Sequence, residues 1–365
     1  MQRAGRIVLL TLMWVAVVAY ILYAASLARA ARRTTRLAGL EVIVADSSVR
    51  GSLFTAAEVR QWIARSGVLP QSIAADSVDL TALESLVLRN GFVASAEASV
   101  NREGRLRLEL SQRKPIVRLL SERENSYVTP EGYLFSVPRR SALYVPVVTG
   151  SYRPPVPLRY EGLVRDEIDH ERWKIDTLIA SLERSKYPFY AAERQNDRRL
   201  REVRRMRTSK RWWKLETEEE FEERVEELRA IKASLRRKYR YEGRRIEAEI
   251  ERIALRQEQL RFEQKKLEKK YEDFMKLLTF VEQVEEDSFW RSEVVQIIAE
   301  TTQSGALELT LIPRSGPFRI RFGRIEEVGA KFDKLLRFYE RGLAAIGWDR
   351  YGEIDIRYAD RVVCR

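Results

Sequence analysis

Cysteine and histidine are almost absent, since the 365 residues contain one of each, Cys364 and His170. With a single cysteine the chain cannot form an internal disulfide framework or a cysteine-based zinc cluster. With a single histidine it lacks the imidazoles that most metal centres and catalytic triads use. The carboxylates include no pair set among apolar residues, so nothing indicates glycosidase-type acid–base chemistry. We therefore predict no catalytic site, no cofactor and no metal.

The excess of positive charge is moderate, with 66 Lys and Arg residues against 54 Asp and Glu residues and a net charge of +12. Apolar residues make up 45% of the chain. That share is enough to build hydrophobic cores, which excludes wholesale disorder. The length suits two or three domains.

Long hydrophobic runs are also scarce, and the one present is Ile7–Ala28, which holds 22 residues without a charge. As a helix this run would measure about 33 Å, enough to cross a bilayer core of roughly 30 Å. A cleaved signal peptide is the alternative, because Ala28-Arg29-Ala30 resembles a cleavage site, but its apolar region usually spans about 7–15 residues. The run therefore predicts a single transmembrane helix at 7–28 after a short tail of residues 1–6.

The charges that flank this run do not settle its orientation. Two arginines precede it and four follow it: Arg3, Arg6, Arg29, Arg32, Arg33 and Arg36. By the positive-inside rule this count favours a cytoplasmic location for the large soluble part. The rule is weakest when a long domain follows the span, because such domains translocate largely regardless of charge. From the flanking charges alone, the topology stays open.

Residues 39–113 have the pattern of a small α+β domain in the order β-α-α-β-β. Thr55 and Glu58 form a capping-box pattern before the apolar stripe of a helix, and Gly67 ends that helix. Arg105–Ser111 alternates strictly between polar residues and leucine, which indicates a strand with one face in a core. The predicted elements are a strand at 41–44, helices at 56–65 and 80–90, and strands at 92–100 and 105–111.

Residues 114–160 and 276–365 together predict a second domain, rich in β-strands and containing helices. Its strands are predicted at 116–120, 127–128, 133–135, 307–312 and 318–322, with a helix at 325–346. The last predicted strand is Glu353–Cys364, in which Ile354, Ile356 and Tyr358 share one face.

Residues 161–275 differ in composition, because roughly half of them are charged. This composition excludes a conventional globular core but suits long helices with a narrow apolar seam. One seam advances by four and three residues and includes two glutamines: Ile246, Ile250, Ile253, Gln257, Leu260, Gln264, Leu267, Tyr271, Phe274, Leu278 and Val281. A shorter seam comprises Val164, Ile168, Ile175, Leu178 and Leu182. We predict an inserted helical hairpin or coiled coil, whose arms pack on each other or on a second copy of the chain.

Four stretches match, in order, the segments of a known family. Ser111–Val117 resembles the polar-Arg-x-Pro-apolar segment that leaves a POTRA domain, and Tyr127–Phe135 resembles the glycine hairpin that follows it. Tyr144–Gly150 is similar to the apolar-Pro-apolar-x-Gly strand after that hairpin, and the tail Phe280–Cys364 is similar to one branch of the same family. With the anchor and the β-α-α-β-β unit, these stretches resemble the bacterial cell-division family FtsQ/DivIB, with residues 161–275 as an unusual insertion.

This resemblance implies a non-catalytic, single-pass scaffold of the divisome. It implies a cytoplasmic N-terminus, with the bulk of the chain in the periplasm at the division septum of the inner membrane. The implied partners are FtsB- and FtsL-type bitopic division proteins and the membrane, with no nucleic acid. The alternative is a POTRA-bearing transport or assembly module, or a coiled-coil membrane tether, that takes no part in division.

The resemblance also implies a binding site, since the family uses its last strand to accept a strand from FtsB. In this sequence we expect an exposed edge strand that pairs with the partner by β-augmentation. Its residues are Glu353, Ile354, Asp355, Ile356, Arg357, Tyr358, Val362 and Val363. The alternative is that this strand only completes the sheet.

A second candidate surface is the basic stretch Arg194–Lys214, which contains two adjacent tryptophans near its end. It could contact anionic lipid headgroups or an anionic wall polymer, or it could be a solvated helix paired with the acidic stretch Glu216–Glu227. Nucleic acid is the usual partner of such a patch, but the implied compartment argues against it. The candidate contact residues are Arg198, Arg199, Arg201, Arg204, Arg205, Arg207, Arg211, Trp212 and Trp213.

Overall fold

The computed structural model describes residues 13–26, 37–45, 51–69, 77–101, 104–121, 124–137, 143–211 and 216–365. Residues 13–26 form helix α1, whose side chains are mostly exposed. Within the described ranges, no helix is both long enough and apolar enough to cross a membrane. The predicted span Ile7–Ala28 lies partly outside these ranges, so it stays a prediction.

The N-terminal module has the β-α-α-β-β order expected from the sequence. Its elements are β1 (Gly39–Val44), α2 (Ala56–Ser66), α3 (Leu80–Leu88), β2 (Val93–Val100) and β3 (Arg105–Gln112). The three strands form one sheet in the order β1-β3-β2, in which β1 is parallel and β2 antiparallel to the central β3. Because β3 alternates as predicted, Leu106, Leu108 and Leu110 are all buried against the two helices.

The ends of α2 follow the local signals in the sequence. The Thr55 side chain accepts a hydrogen bond from the backbone N–H of Glu58, and the Glu58 carboxylate accepts one from the backbone N–H of Thr55. This reciprocal pair satisfies two N–H groups that the first helical turn would otherwise leave unpaired. Gly67 ends the helix in the left-handed region at φ +70°, which glycine adopts without a steric penalty.

In the described residues, the second domain contains one mixed sheet of ten strands. They are β4 (Val117–Leu120), β5 (Asn125–Val128), β6 (Tyr133–Ser136), β7 (Val147–Thr149), β8 (Gly162–Leu163), β9 (Val294–Thr301), β10 (Leu307–Pro313), β11 (Arg319–Gly323), β12 (Glu353–Asp355) and β13 (Val363–Cys364). Their spatial order is β13-β12-β11-β10-β9-β7-β4-β5-β6-β8. The strand β9 was not predicted. It pairs in parallel with β7 and antiparallel with β10, and so joins the two predicted halves of the domain.

The N-terminal module and this sheet share a core. Tyr127 and Phe135, both fully buried, belong to the same hydrophobic cluster as the leucines of β3. The guanidinium of Arg113 lies 3.4 Å from the centre of the Tyr133 ring. Gly91 contacts the sheet so closely that an added Cβ would lie 2.9 Å from the Cβ of Phe135. The chain segment between β3 and β4 is therefore a packed junction between the module and the sheet.

Helices pack on the sheet through an aromatic cluster. They are α6 (Ser288–Glu293), α7 (Val328–Phe338), a π-helical turn (Tyr339–Leu343) and α8 (Ala344–Ile346). These last three replace the single helix predicted at 325–346. The fully buried ring of Phe280 lies 4.9 Å from that of Phe322 and 5.8 Å from that of Phe332. The nearby ring of Trp290 lies 4.6 Å from that of Phe332, tilted by 35°.

Residues Arg165–Glu272 form a separate compact unit of two long helices. The helices are α4 (Val164–Arg205, 42 residues) and α5 (Glu218–Glu286, 69 residues). Their pairing is antiparallel: Gln264 donates to Asp176 at 2.6 Å, whereas Asn196 donates to the Tyr239 carbonyl at 3.0 Å. The predicted hairpin is therefore present, and its association with a second copy stays a prediction.

The residues predicted to form the apolar seam are buried more consistently on α5 than on α4. Leu260 is buried, and Gln257, one of the two seam glutamines, is also buried. On α4, however, Leu178 is 52% exposed, and Ile179 faces the partner helix, where its carbonyl accepts a hydrogen bond from Gln257 at 3.2 Å. The assignment of Leu178 to the seam was wrong, because the seam advances by four residues from Ile175 to Ile179. The other four residues predicted for it are buried or half-buried: Val164, Ile168, Ile175 and Leu182.

Candidate functional site

The candidate site is the C-terminal end of the ten-stranded sheet. The predicted edge strand Glu353–Val363 is not continuous, because it forms two short strands joined by a turn. The first, β12, pairs in parallel with β11 on one side and antiparallel with β13 on the other, so it is an interior strand. The edge-strand prediction is corrected accordingly: within the described residues, the edge of the sheet is β13.

Along β13, the backbone N–H and C=O groups of successive residues point alternately toward β12 and away from the sheet. Glu353 and Arg365 exchange two hydrogen bonds, of 3.1 and 2.9 Å, so the backbone groups of Arg365 point toward β12. The register then pairs Cys364 with Ile354 and Val363 with Asp355. Because successive residues of a strand point their N–H and C=O groups to opposite sides, those of Cys364 face outward. A strand added at this edge would form its hydrogen bonds with Cys364.

A lysine holds the turn between β12 and β13. Lys334, on α7, donates to the carbonyl of Ile356 at 2.9 Å and also to the carbonyl of Tyr358. Burial lowers the pKa of Lys334. The Tyr358 ring stays 41% exposed, and the Arg361 guanidinium lies 5.0 Å from its centre. Because the Lys334 ammonium binds the carbonyls of both Ile356 and Tyr358, these carbonyls are not free for strand pairing. The chain therefore leaves the sheet after Asp355 instead of continuing as one strand.

A bidentate ion pair fixes the start of this turn. Arg357 contacts Asp355 through Nε and Oδ1 at 3.0 Å and through Nη2 and Oδ2 at 2.7 Å. Gly323, at φ +74°, makes room for the arginine, since an added Cβ would lie 2.6 Å from Arg357 Cγ. The sequence analysis assigned Arg357 to a partner, but its guanidinium already binds within the chain. Ile354 and Ile356 are also unavailable, because both are fully buried.

The Asp355 carboxyl gives this edge a dependence on pH. Burial raises its pKa, but the hydrogen bonds and positive charge of Arg357 outweigh that effect and hold the pKa below the ordinary value. A group whose pKa is depressed by folding stabilises the fold above its unfolded pKa, and this contribution is lost as the pH falls. For aspartate the loss begins near pH ~4.

We therefore predict that Asp355→Asn lowers the melting temperature at pH 7 and that this deficit shrinks as the pH falls below about 4. Asp333→Asn, an exposed position on α7, serves as the control and should change the melting temperature little at either pH. Thermal unfolding across a pH series measures both variants. A deficit that stays constant down to acid pH would contradict the role of the carboxylate charge.

A buried carboxylate, Glu293, lies at the end of α6 in the same domain. Glu293 accepts hydrogen bonds from the hydroxyls of Ser315 and, at 3.2 Å, Tyr339. Burial, reinforced by the Glu293 carboxylate, raises the pKa of the Tyr339 hydroxyl. Both hydroxyls thus bond to the Glu293 carboxylate, which is buried with Tyr339, whereas Ser315 is exposed. In the part of the chain that the structure describes, no cluster of three or more His, Cys, Asp or Glu side chains could hold a metal.

The basic candidate surface lies on the hairpin unit. Its described members are exposed, and Arg199 forms an ion pair with Glu242 at 3.9 Å. Trp212 and Trp213 lie outside the described residues. The acidic stretch after the turn contacts only the end of this surface, through Lys210 with Glu218 and through the Arg211 N–H with Glu216 at 2.8 Å.

Comparison with known proteins gives one family. Residues 256–365 match the family model described as FtsQ/DivIB, C-terminal related. The matched segment begins within α5 and contains β9 to β13, including the sheet edge. No curated protein matches the chain. The resemblance to FtsQ/DivIB is confirmed over this segment, which links it to cell division, and members of that family are non-enzymatic division proteins.

Proposed function

We propose that this protein, whose C-terminal part is FtsQ/DivIB-related, is a non-catalytic scaffold of the bacterial division complex. In this proposal the run Ile7–Ala28 is its single membrane span, the N-terminus is cytoplasmic, and the remaining domains lie outside the inner membrane at the septum. The family match over residues 256–365 carries the proposal, because it covers the half of the sheet that ends in β13.

The scaffold would act by strand addition at β13. An edge strand exposes unpaired N–H and C=O groups, which can bond an incoming extended segment. The partner would be an FtsB-type bitopic protein, with an FtsL-type protein in the same complex. The proposed contact now comprises Val362, Val363 and Cys364, with exposed Tyr358 beside them, and it no longer includes Arg357 or the buried isoleucines.

Replacement of Cys364 by proline tests this edge. Proline removes the N–H that faces outward and leaves the bonds of Arg365 with Glu353 in place. We expect the affinity for an FtsB-type partner to fall roughly tenfold, because one hydrogen bond is lost and the ring obstructs the incoming strand. Co-purification and titration with the partner's extracytoplasmic segment measure the change.

Cys364→Ser is the matched control, since it keeps the backbone N–H and removes only the thiol. It should bind the partner like the unmodified chain. If the proline variant binds equally well, the contact lies elsewhere on the protein. If the serine variant alone loses binding, the thiol and not the strand edge makes the contact.

A further inference from the structure

The hairpin unit brings two basic stretches together. Residues 194–211 run along α4 and into the turn, and residues 229–245 lie on α5. Asn196 donates to the Tyr239 carbonyl at 3.0 Å, and Lys232 donates to the Met206 carbonyl at 3.0 Å. These contacts place the two stretches side by side. We call them together the cationic half of the hairpin.

The cationic half holds more than the whole positive excess of the chain. Its two stretches contain 17 basic and 3 acidic residues, a net charge of +14, whereas the entire chain carries +12. The remaining residues therefore sum to −2. The sequence offered the acidic stretch Glu216–Glu227 as a neutralising partner of residues 194–214. In the structure, that stretch contacts only the end of the basic residues, through Lys210 with Glu218 and through the Arg211 N–H with Glu216.

Most of these cations have no internal counter-charge. Among the described residues, ion pairs of the cationic half are limited to Arg199 with Glu242 and Lys210 with Glu218. Arg198, Arg201 and Arg205 are exposed, as are Arg237 and Arg244 on the other arm. Like charges held close together repel one another and raise the free energy of the compact state. A bound polyanion would relieve this repulsion.

The residue types point to phosphate as the anionic group. Fourteen of the 17 cations are arginines, whose planar guanidinium binds phosphate through two parallel hydrogen bonds. Val203 of α4 is buried, and the exposed apolar side chains of the cationic half, Met206, Ile231 and Tyr241, are far outnumbered by its 17 cations. Contact would therefore be electrostatic, at the level of headgroups.

We infer that the cationic half of the hairpin binds the surface of an anionic phospholipid bilayer. The inference rests on the proposed function, whose membrane anchor would keep the hairpin near lipid. Duplex nucleic acid is the competing phosphate polymer, and the test includes it.

Vesicle sedimentation tests the inference with the full-length chain. The chain is placed in nanodiscs of phosphatidylcholine and mixed with separate vesicles, made either of phosphatidylcholine alone or with about 30 mol % phosphatidylglycerol. We expect sedimentation only with the anionic vesicles, and loss of binding in about 0.5 M salt, because salt screens exposed charges. A chain that does not enter nanodiscs is assayed without them, so failure of the anchor is seen separately.

A triple variant locates the surface. Arg198→Gln, Arg201→Gln and Arg205→Gln together should weaken partitioning onto anionic vesicles roughly a hundredfold, as expected for three cations near a charged bilayer. The control replaces Lys265, Lys266 and Lys269 by glutamine, which removes the same charge from exposed positions of α5 outside the cationic half. It should keep nearly full binding.

Three results would overturn the inference. They are equal binding to both kinds of vesicle, equal losses in the two triple variants, and tighter binding to a DNA duplex of about 30 base pairs than to anionic vesicles. Loss of FtsB-type binding in the Cys364→Pro variant with vesicle binding intact would show that the two surfaces act separately.

Discussion

Replacement of Phe280 by alanine should lower the free energy of unfolding of the sheet domain by about 3–5 kcal/mol. Phe280 is fully buried and touches the rings of both Phe322 on the sheet and Phe332 on α7. Its removal takes away apolar contact area and leaves a cavity that three neighbouring elements cannot easily fill.

The same helix supplies a matched control for this variant. Phe262 also lies on α5, but its side chain is 69% exposed, so Phe262→Ala should change the unfolding free energy by less than about 0.5 kcal/mol. Chemical denaturation followed by near-ultraviolet circular dichroism reports on the packed aromatic rings. Similar losses in the two variants would contradict the assignment of Phe280 to the core.

Gln257→Leu should destabilise the hairpin unit by roughly 3 kcal/mol. The Gln257 side chain accepts a hydrogen bond from the buried Lys186 ammonium at 2.5 Å and donates to Glu183 at 2.9 Å. Leucine would leave the ammonium buried with a single, half-exposed partner, Glu183, at 3.1 Å. The cost is therefore that of a buried charge deprived of its main acceptor.

The double variant Gln257→Leu with Lys186→Leu should recover most of this loss. Two leucines facing each other resemble an ordinary seam of packed helices, and replacing a buried polar pair by apolar residues is often neutral. Hydrogen exchange of the α4 amides measures the local stability of each variant. A double variant as unstable as the single one would show that the polar contacts of Gln257, and not the unpaired Lys186 ammonium, determine the stability of the hairpin unit.

Local signals in the sequence predicted the helices and the N-terminal module well. The reciprocal cap of Thr55 and Glu58, the stop at Gly67 and the alternation of β3 act within a few residues of one another, so a sequence pattern contains them. The long arm of the hairpin was also predictable, because a seam that repeats over many turns fixes which face is buried.

The sheet edge could not be predicted in the same way. Glu353–Tyr358 alternates like a strand, but its path depends on Lys334 and Gly323, which come from distant parts of the sequence. The strand β9 was missed although it contains a run of β-branched residues that indicates a strand, and its parallel pairing with β7, which precedes the whole insertion, has no local signal. Likewise, the register that places two basic stretches together depends on where the turn between α4 and α5 falls, and composition does not reveal it.

The parallel pairing of β7 with β9 also bears on how the chain folds. Thr149 and Gln296, which share a 2.7 Å hydrogen bond, are 147 residues apart in sequence. Closing so long a loop has an entropic cost that grows with its length. The two helices of the hairpin pair with each other in antiparallel fashion. The start of α4 and the C-terminal part of α5 therefore lie close together, and the Arg165 guanidinium is 5.3 Å from the centre of the Tyr271 ring. If the hairpin folds first, only the short segments that join it to β7 and β9 remain to be ordered when these two strands pair. The insertion therefore need not slow assembly of the sheet.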